Sequence, residues 1–287
     1  MILLLGSTGY IGKEFSKQLQ EKNIPFVTLP YDEVNYQNLW LMLNNYKSDL
    51  KIINAAGYTG KPNVDYCETH KEETIAGNVT FVNDLVNFCM AFNIPLGHVS
   101  SGCIYSGKKD NIHPFIESDE PNFTFKQNNC SFYSGTKAIA ETLVNKHKLS
   151  YNWRLRIPFD NIHNPRNYIS KLLNYDYLLD VENSVSDKEE FVMACIDCLI
   201  NKYPYGTYNI VNSGAITTKQ VVEMIKQTIA KDKNFNFFKD IYEFYAQTKA
   251  TPRSNCVLDN SKILNCGAKI SKTKDILLKR LETWQYS

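Results

Sequence analysis

The chain has 287 residues, 43% of them hydrophobic, enough to bury one large core or two smaller ones. Lys plus Arg number 32 and Asp plus Glu 30, with no dense basic run, which argues against nucleic acid as the main partner. The N-terminal apolar run MILLL is far too short to cross a bilayer and lacks the charged region and cleavage site of a signal peptide, so the chain reads as cytoplasmic with no membrane partner.

Residues 2–5 (ILLL) form a short apolar strand that runs into glycines, and 10–22 suit a helix. PFVTL reads as a second strand, 35–46 as a helix, KIINAAG as a third strand, TFVNDLVNFCMAF as a helix and PLGHVSS as a fourth strand. A loop over about 106–130 precedes a helix from about 132 to 147 and a strand in NWRLRIP. Such a rhythm predicts parallel strands joined by crossover helices, an α/β, Rossmann-type doubly wound sheet. Beyond it, 160–190 reads as loop with a helix around 167–174, followed by a helix near 188–202, a strand at TYNIV, a helix over 217–230 and two modest helices in the last fifty residues. The expected organisation is a dinucleotide-binding domain over 1–157, to which segments of about 186–230 return, and a smaller mixed substrate lobe over 158–287.

Eight cysteines in a chain without a secretion signal are expected to be thiols rather than a disulfide framework. Cys195 and Cys198 share a C-I-D-C run inside an apolar helix, where packing is the expected role. The five scattered histidines supply no metal-ligand set, and no metal is expected.

The turn G-S-T-G-Y-I-G places Gly6, Ser7, Thr8, Gly9, Tyr10, Ile11 and Gly12 between a strand and a helix N-terminus. Glycine lets the backbone approach phosphates, and the helix's unpaired N–H groups and dipole favour the anion, so this is a candidate dinucleotide pyrophosphate site. Ala55 and Ala56, after the third strand, join it as candidate cofactor contacts. Asp32 and Glu33 after the second strand are candidates for a ribose hydroxyl, and Lys13 is the nearest cation for a 2′-phosphate, which leaves NADH against NADPH open.

FYSGTK places Tyr133 and Lys137 four residues apart, on one helix face. An ammonium beside a phenol, whose unperturbed pKa is about 10, favours the phenolate, so the pair suits the proton transfer that accompanies hydride transfer. Both residues also count as candidate cofactor contacts. Ser101, at the end of the fourth strand, is placed to hold a substrate oxygen; the alternative is a local backbone bond. Cys103, two residues later, either packs or carries a proton.

The segments GSTGYIG, NAAGYTGKPNVDYCETHKEETIAGNV, SSGCIY, PNFT, FYSGTKA, RLRIP, NPRNYISKL and PRSN together resemble the plant-type bifunctional nucleotide-rhamnose synthases over nearly the whole chain. These are 3,5-epimerase/4-reductases of the extended short-chain dehydrogenase/reductase superfamily that act on UDP-4-keto-6-deoxyglucose, and stand-alone versions occur in large DNA viruses. A more distant similarity is to dTDP-4-dehydrorhamnose reductase. The resemblance implies a reductase triad of Ser101, Tyr133 and Lys137 and an epimerase acid/base pair of Cys103 and Lys171. It implies sugar contacts from Asn63, Asp65 and Glu68, with Asn122, Arg166 and Asn167 also facing substrate and Arg253 and Asn255 near the nucleotide's phosphates. Arg166 and Asn167 have helix capping as their alternative. NADPH is the cofactor the resemblance favours, although PYDEVN stands where the plant-type enzymes carry a basic residue. The expected partners are a nucleotide sugar and a second copy in a homodimer. Two other readings compete: a 4-reductase that needs a separate epimerase, and a non-catalytic, dinucleotide-binding regulatory subunit.

Overall fold

The computed structural model describes residues 1–46 and 49–286. The chain divides into two compact units. The first comprises Met1–Ser101, Phe132–Arg154 and Val192–Tyr208, and the second Gly102–Ser131, Leu155–Phe191 and Asn209–Ser287.

The first unit is built on a sheet whose strands are β1 (Ile2–Leu5), β2 (Phe26–Leu29), β3 (Lys51–Asn54), β4 (Leu96–Ser101), β5 (Ser150–Leu155) and β6 (Gly206–Asn209). Their spatial order is β6-β5-β4-β3-β1-β2. β1 pairs in parallel with both β2 and β3, with Leu5 opposite Leu29 and Asn54, and β3 pairs in parallel with β4. The order reverses direction at β1, so the carboxyl ends of β1 and β3 flank a switch point, the place where such sheets bind ligands. A continuous apolar strand such as ILLL, and the buried Ile52 and Ile53 of KIIN, are what a sheet covered on both faces requires. Leu3, Leu5 and Ile52 pack with Val82, Leu85, Val86, Phe88 and Cys89 from the helix Phe81–Phe92, and with Ala140 and Val144 from the helix Phe132–Val144.

The helical stretch Lys71–Phe92 is long and apolar enough to cross a bilayer, but those five residues are core side chains with protein partners. It also starts about two and a half turns earlier than the expected TFVNDLVNFCMAF. A π-helical turn over Ala76–Thr80 joins the two parts, and Gly77 and Asn78 in it are poor helix formers that hid the continuity. The strand expected to run through NWRLRIP stops at Leu155 because Ile157 turns the chain at φ +39°. Pro158–Phe159 then pairs separately with Ser186–Asp187.

The second unit has its own core of Phe159, Ile169, Leu172, Val185, Val221, Ile225, Leu277 and Leu281. Its helices include Tyr168–Asn174, Thr218–Thr228, Ile241–Thr248 and Thr273–Glu282, one more in the C-terminal region than the sequence suggested once the short Ser261–Asn265 is counted. The loop after residue 106 has no helix. Bridges from Gly107 to Cys256 and from Phe115 to Leu258 hold it instead.

Candidate active site

In the first unit, β1 leads into Gly6, whose φ of +77° favours glycine. Gly9 N donates to Gly6 O at 3.0 Å and Lys13 N to Gly9 O at 2.9 Å, which joins the turn to the helix Tyr10–Glu21. A Cβ on Gly6 would lie 2.5 Å from Ala56 N, and one on Gly12 only 1.9 Å from Gly6 O. The strand, turn and helix therefore approach at distances that exclude any side chain. No side chain caps the helix, so its first N–H groups stay available, a cradle that fits a pyrophosphate. Ala55 N donates to Leu5 O at 3.0 Å and Ala56 N to Asn54 Oδ1 at 3.0 Å, and both alanines lie against Gly6. Asp32 and Glu33 lie exposed on a short 3-10 turn after β2, and Lys13 is exposed on its helix. Gly12→Ala forces the backbone of the turn apart, so NADPH affinity measured by fluorescence titration is expected to fall at least tenfold. An unchanged affinity would mean that the turn does not seat the cofactor.

Ser101 ends β4, and Tyr133 and Lys137 stand one turn apart on the helix Phe132–Val144. Lys137 is buried, 5% exposed, and its Nζ donates to Val99 O at 3.1 Å. Beneath it, His98 Nδ1 faces Asn54 Nδ2 at 3.1 Å. Burial first, and the Lys137 charge second, hold the His98 imidazole well below its ordinary value, so this ring is neutral at pH 7. With the amide donating to Nδ1, the ring proton sits on Nε2. One turn beyond Lys137, Glu141 accepts from Ser100 Oγ at 3.0 Å and from Arg154 Nε at 3.1 Å, with all three side chains buried. That ion pair and hydroxyl tie the Tyr-Lys helix to β4 and β5 beside Ser101.

Asn63 and Asp65 precede the short helix Tyr66–Thr69, whose N-cap is Asp65 and which carries Glu68. Asn63 Oδ1 accepts from Asp65 N at 2.8 Å, and Glu68 Oε1 accepts from Phe132 N at 2.7 Å. Glu68 thereby holds the start of the Tyr133 helix. Sequence reading missed Asn78, in the π-turn. Its Oδ1 accepts from Tyr58 N at 2.8 Å, while its Nδ2 donates to Tyr58 O at 2.9 Å and to Thr136 Oγ1 at 3.2 Å. An Asn after a Gly inside an apolar helix was the available signal, as was the His within the apolar strand LGHVSS.

In the second unit, Cys103 lies in the turn Gly102–Ile104 and is 7% exposed. Gly102 O accepts from Tyr105 N at 3.1 Å and from Cys256 Sγ at 3.3 Å. Lys171 is on the helix Tyr168–Asn174, largely buried. Burial, then the Arg166 and Arg253 charges, hold its ammonium below the usual lysine range. These three cations thus form one electrostatic group. Arg253 N donates to Tyr245 OH at 2.8 Å, and Asn255 Oδ1 accepts from Asn183 Nδ2 at 3.2 Å.

Two residues expected at the substrate make hydrogen bonds within the protein. Asn167 is fully buried and caps its helix: Oδ1 accepts from Ile169 N at 3.0 Å, and Nδ2 donates to Asp160 Oδ1 at 2.6 Å. This is the capping alternative the sequence allowed. Asn122 spends both ends of its amide on Ser106, at 2.8 Å to N and 3.0 Å to O. All eight cysteines are outside disulfides, and burial pushes the Cys89 and Cys195 thiols up.

A glycine turn at the switch point of a parallel sheet, with Tyr and Lys one turn apart on a helix beside β4, defines the extended short-chain dehydrogenase/reductase class. Residues 1–285 match the family described as RmlD substrate binding domain, and the chain belongs to it. It is 32% identical over 286 residues to the bifunctional dTDP-4-dehydrorhamnose 3,5-epimerase/dTDP-4-dehydrorhamnose reductase of Arabidopsis thaliana, covering 96% of this chain and 91% of that one. Among solved structures, the L780 UDP-rhamnose synthase of Acanthamoeba polyphaga mimivirus superposes with a TM-score of 0.87 at 22% identity, over 98% of each chain. The dTDP-4-dehydrorhamnose reductase of Bacillus anthracis, solved in complex with NADP, gives 0.77 at 16% identity, over 99% of this chain and 96% of that one.

Proposed function

We propose that this chain converts UDP-4-keto-6-deoxyglucose to UDP-L-rhamnose, epimerising C3 and C5 and then reducing C4, with NADPH as cofactor and NADH as the alternative. Membership of a reductase family supports the ketoreductase half. The observation that carries the epimerase half is Lys171, a lysine held below its usual range by burial and two arginines. A ketone reductase has no need of a second amine brought toward neutrality, whereas a base at carbon does. The similarity to a bifunctional relative over 96% of this chain points the same way.

C3 and C5 are alpha to the C4 carbonyl, so losing either proton moves an electron pair onto the C4 oxygen. In this reading Ser101 and Tyr133 donate hydrogen bonds to that oxygen, which lowers the cost of every such step. Cys103 and Lys171 remove a proton from one face of the carbon and return one to the other, which inverts it. Lys137, held at Val99 O, keeps a positive charge one helical turn from Tyr133 and so favours the phenolate. Bound dinucleotide supplies a hydride to C4. Tyr133 gives its proton to the C4 oxygen, which leaves the alcohol.

One reaction in D2O tests this reading. The protein, NADPH and UDP-4-keto-6-deoxyglucose are followed by NMR, and deuterium is expected at both C3 and C5 of a rhamnose product. NADPH consumption without deuterium would reduce the chain to a plain reductase. No turnover of this sugar or its dTDP analogue would leave a dinucleotide-binding protein without this chemistry.

A further inference from the structure

Arg154 and Arg156 stand two residues apart in WRLRIP, and both are buried. A buried guanidinium ordinarily holds a carboxylate, and Arg154 does, in Glu141. Arg156 is 7% exposed and belongs to the second unit. Among the described residues its hydrogen bonds run from one terminal nitrogen, Nη2, to Asn183 Oδ1 at 2.6 Å and to the Ser254 carbonyl. Both acceptors are neutral, and Arg156 Nε is buried without a hydrogen-bond partner. A charged donor bonds such acceptors more strongly than a neutral one, so the buried charge is spent on these two contacts.

Both contacts serve one strap, residues 253–256. It has no helix or strand of its own, apart from the single bridge between Cys256 and Gly107, so its course is fixed by bonds from outside it. Asn183 stands between Arg156 and the strap: its Oδ1 also accepts from Cys256 N at 3.0 Å, and its Nδ2 donates to Asn255 Oδ1 at 3.2 Å. Elsewhere Gly107 N donates to Asn255 O at 2.6 Å and Arg253 N to Tyr245 OH at 2.8 Å. What the strap carries is the Arg253 guanidinium, whose charge, with that of Arg166, reaches the Lys171 ammonium. Cations gathered in this way repel one another and suit a ligand with more than one negative charge, such as a diphosphate. Repulsion would swing an arginine on a loose segment away from its neighbours. The grip of Arg156 on Ser254 and Asn183 opposes that.

We propose that Arg156 is a positioning residue for the nucleotide diphosphate: through the Ser254 carbonyl and Asn183 it holds the strap so that Arg253 meets the phosphates. This rests on the nucleotide-sugar reading above. The test is calorimetric titration with UDP alone, beside a fluorescence titration with NADPH. Arg253→Gln is expected to weaken UDP binding about tenfold or more, as loss of a charge-assisted contact does, and Arg156→Gln by a similar factor. The double variant is expected to bind UDP within about twofold of Arg253→Gln, because a residue that acts through Arg253 has nothing left to position. Arg156→Lys, which keeps a charged donor, should recover part of the affinity, and NADPH binding should be unchanged in all three. Losses that multiply in the double variant would overturn the proposal, since Arg156 would then act on the anion itself. Wild-type UDP affinity in Arg156→Gln, or parallel loss of UDP and NADPH, would overturn it as well. If Arg156→Gln does not fold, Asn183→Ala loosens the same strap, and wild-type UDP affinity there has the same meaning. Failure of the nucleotide-sugar reading shows separately, as wild-type protein that binds NADPH but neither UDP nor dTDP.

Discussion

Tyr133→Phe is expected to lower kcat for ketone reduction by about 10²–10⁴-fold, the range for loss of a positioned general acid. Only the hydroxyl is removed. The glycine turn and its contacts with Ala55 and Ala56 do not involve Tyr133, so NADPH binding is expected to survive. The helix should hold its place as well, because its anchors are Glu68 at Phe132 N, Asn78 at Thr136 and the buried Glu141–Arg154 pair. Stopped-flow measurement of NADPH oxidation, paired with a cofactor titration, separates the two. Turnover within a few-fold of wild type would remove Tyr133 from the proton transfer. Loss of cofactor binding in step with kcat would make it a binding residue instead.

The second large effect is expected at Lys171, and it carries a pH signature. Lys171→Met and Lys171→Arg are both expected to slow deuterium incorporation at C3 and C5 by about 10²–10⁴-fold. The arginine variant matters because it keeps the charge and cannot serve as a base. In wild type the exchange rate should rise with pH, since the neutral fraction grows, and level off once pH passes the lowered Lys171 value, below the ordinary 10.5. The stability sign follows from the same shift. Between the folded value and 10.5 the unfolded state holds a proton that the folded state has released, so this group's contribution to stability grows with pH across that window. Below it, the partly desolvated ammonium beside two arginines is a constant cost. Removing that cost, Lys171→Met should melt no lower than wild type at neutral pH. Wild-type exchange rates in either variant would take Lys171 out of the chemistry, and a clear drop in melting temperature for Lys171→Met would show that the ammonium stabilises the fold.

The first unit was legible from the chain because its signals are local. Apolar runs of four to six residues, helical spacing between them and the glycine turn each declare themselves within a few positions, and all six main strands lie where the runs predicted. The reading weakened where a local signal had two meanings. Asn167 before an apolar helix is either a cap or a ligand contact, and only its burial against Asp160 decides for the cap. Asn122 likewise carries no mark of its partner, Ser106, because that pairing depends on how the loop folds back. Gly77 and Asn78 broke the helical pattern that in fact continues through them as a π-turn.

Composition and periodicity by themselves determined the fold class, and residue chemistry placed the glycine turn and the Tyr-Lys pair, since each depends on neighbours within one or two turns of chain. The tertiary structure alone decided which charges are paired. Arg154 and Arg156 are two residues apart in sequence, yet one meets Glu141 and the other meets, among the described residues, only neutral oxygens. It also decided that Lys171, an ordinary lysine on a short helix, is desolvated and set among like charges, while Lys137 is held at a strand carbonyl. Electrostatic environment is a sum over groups distant along the chain, and no local pattern carries it.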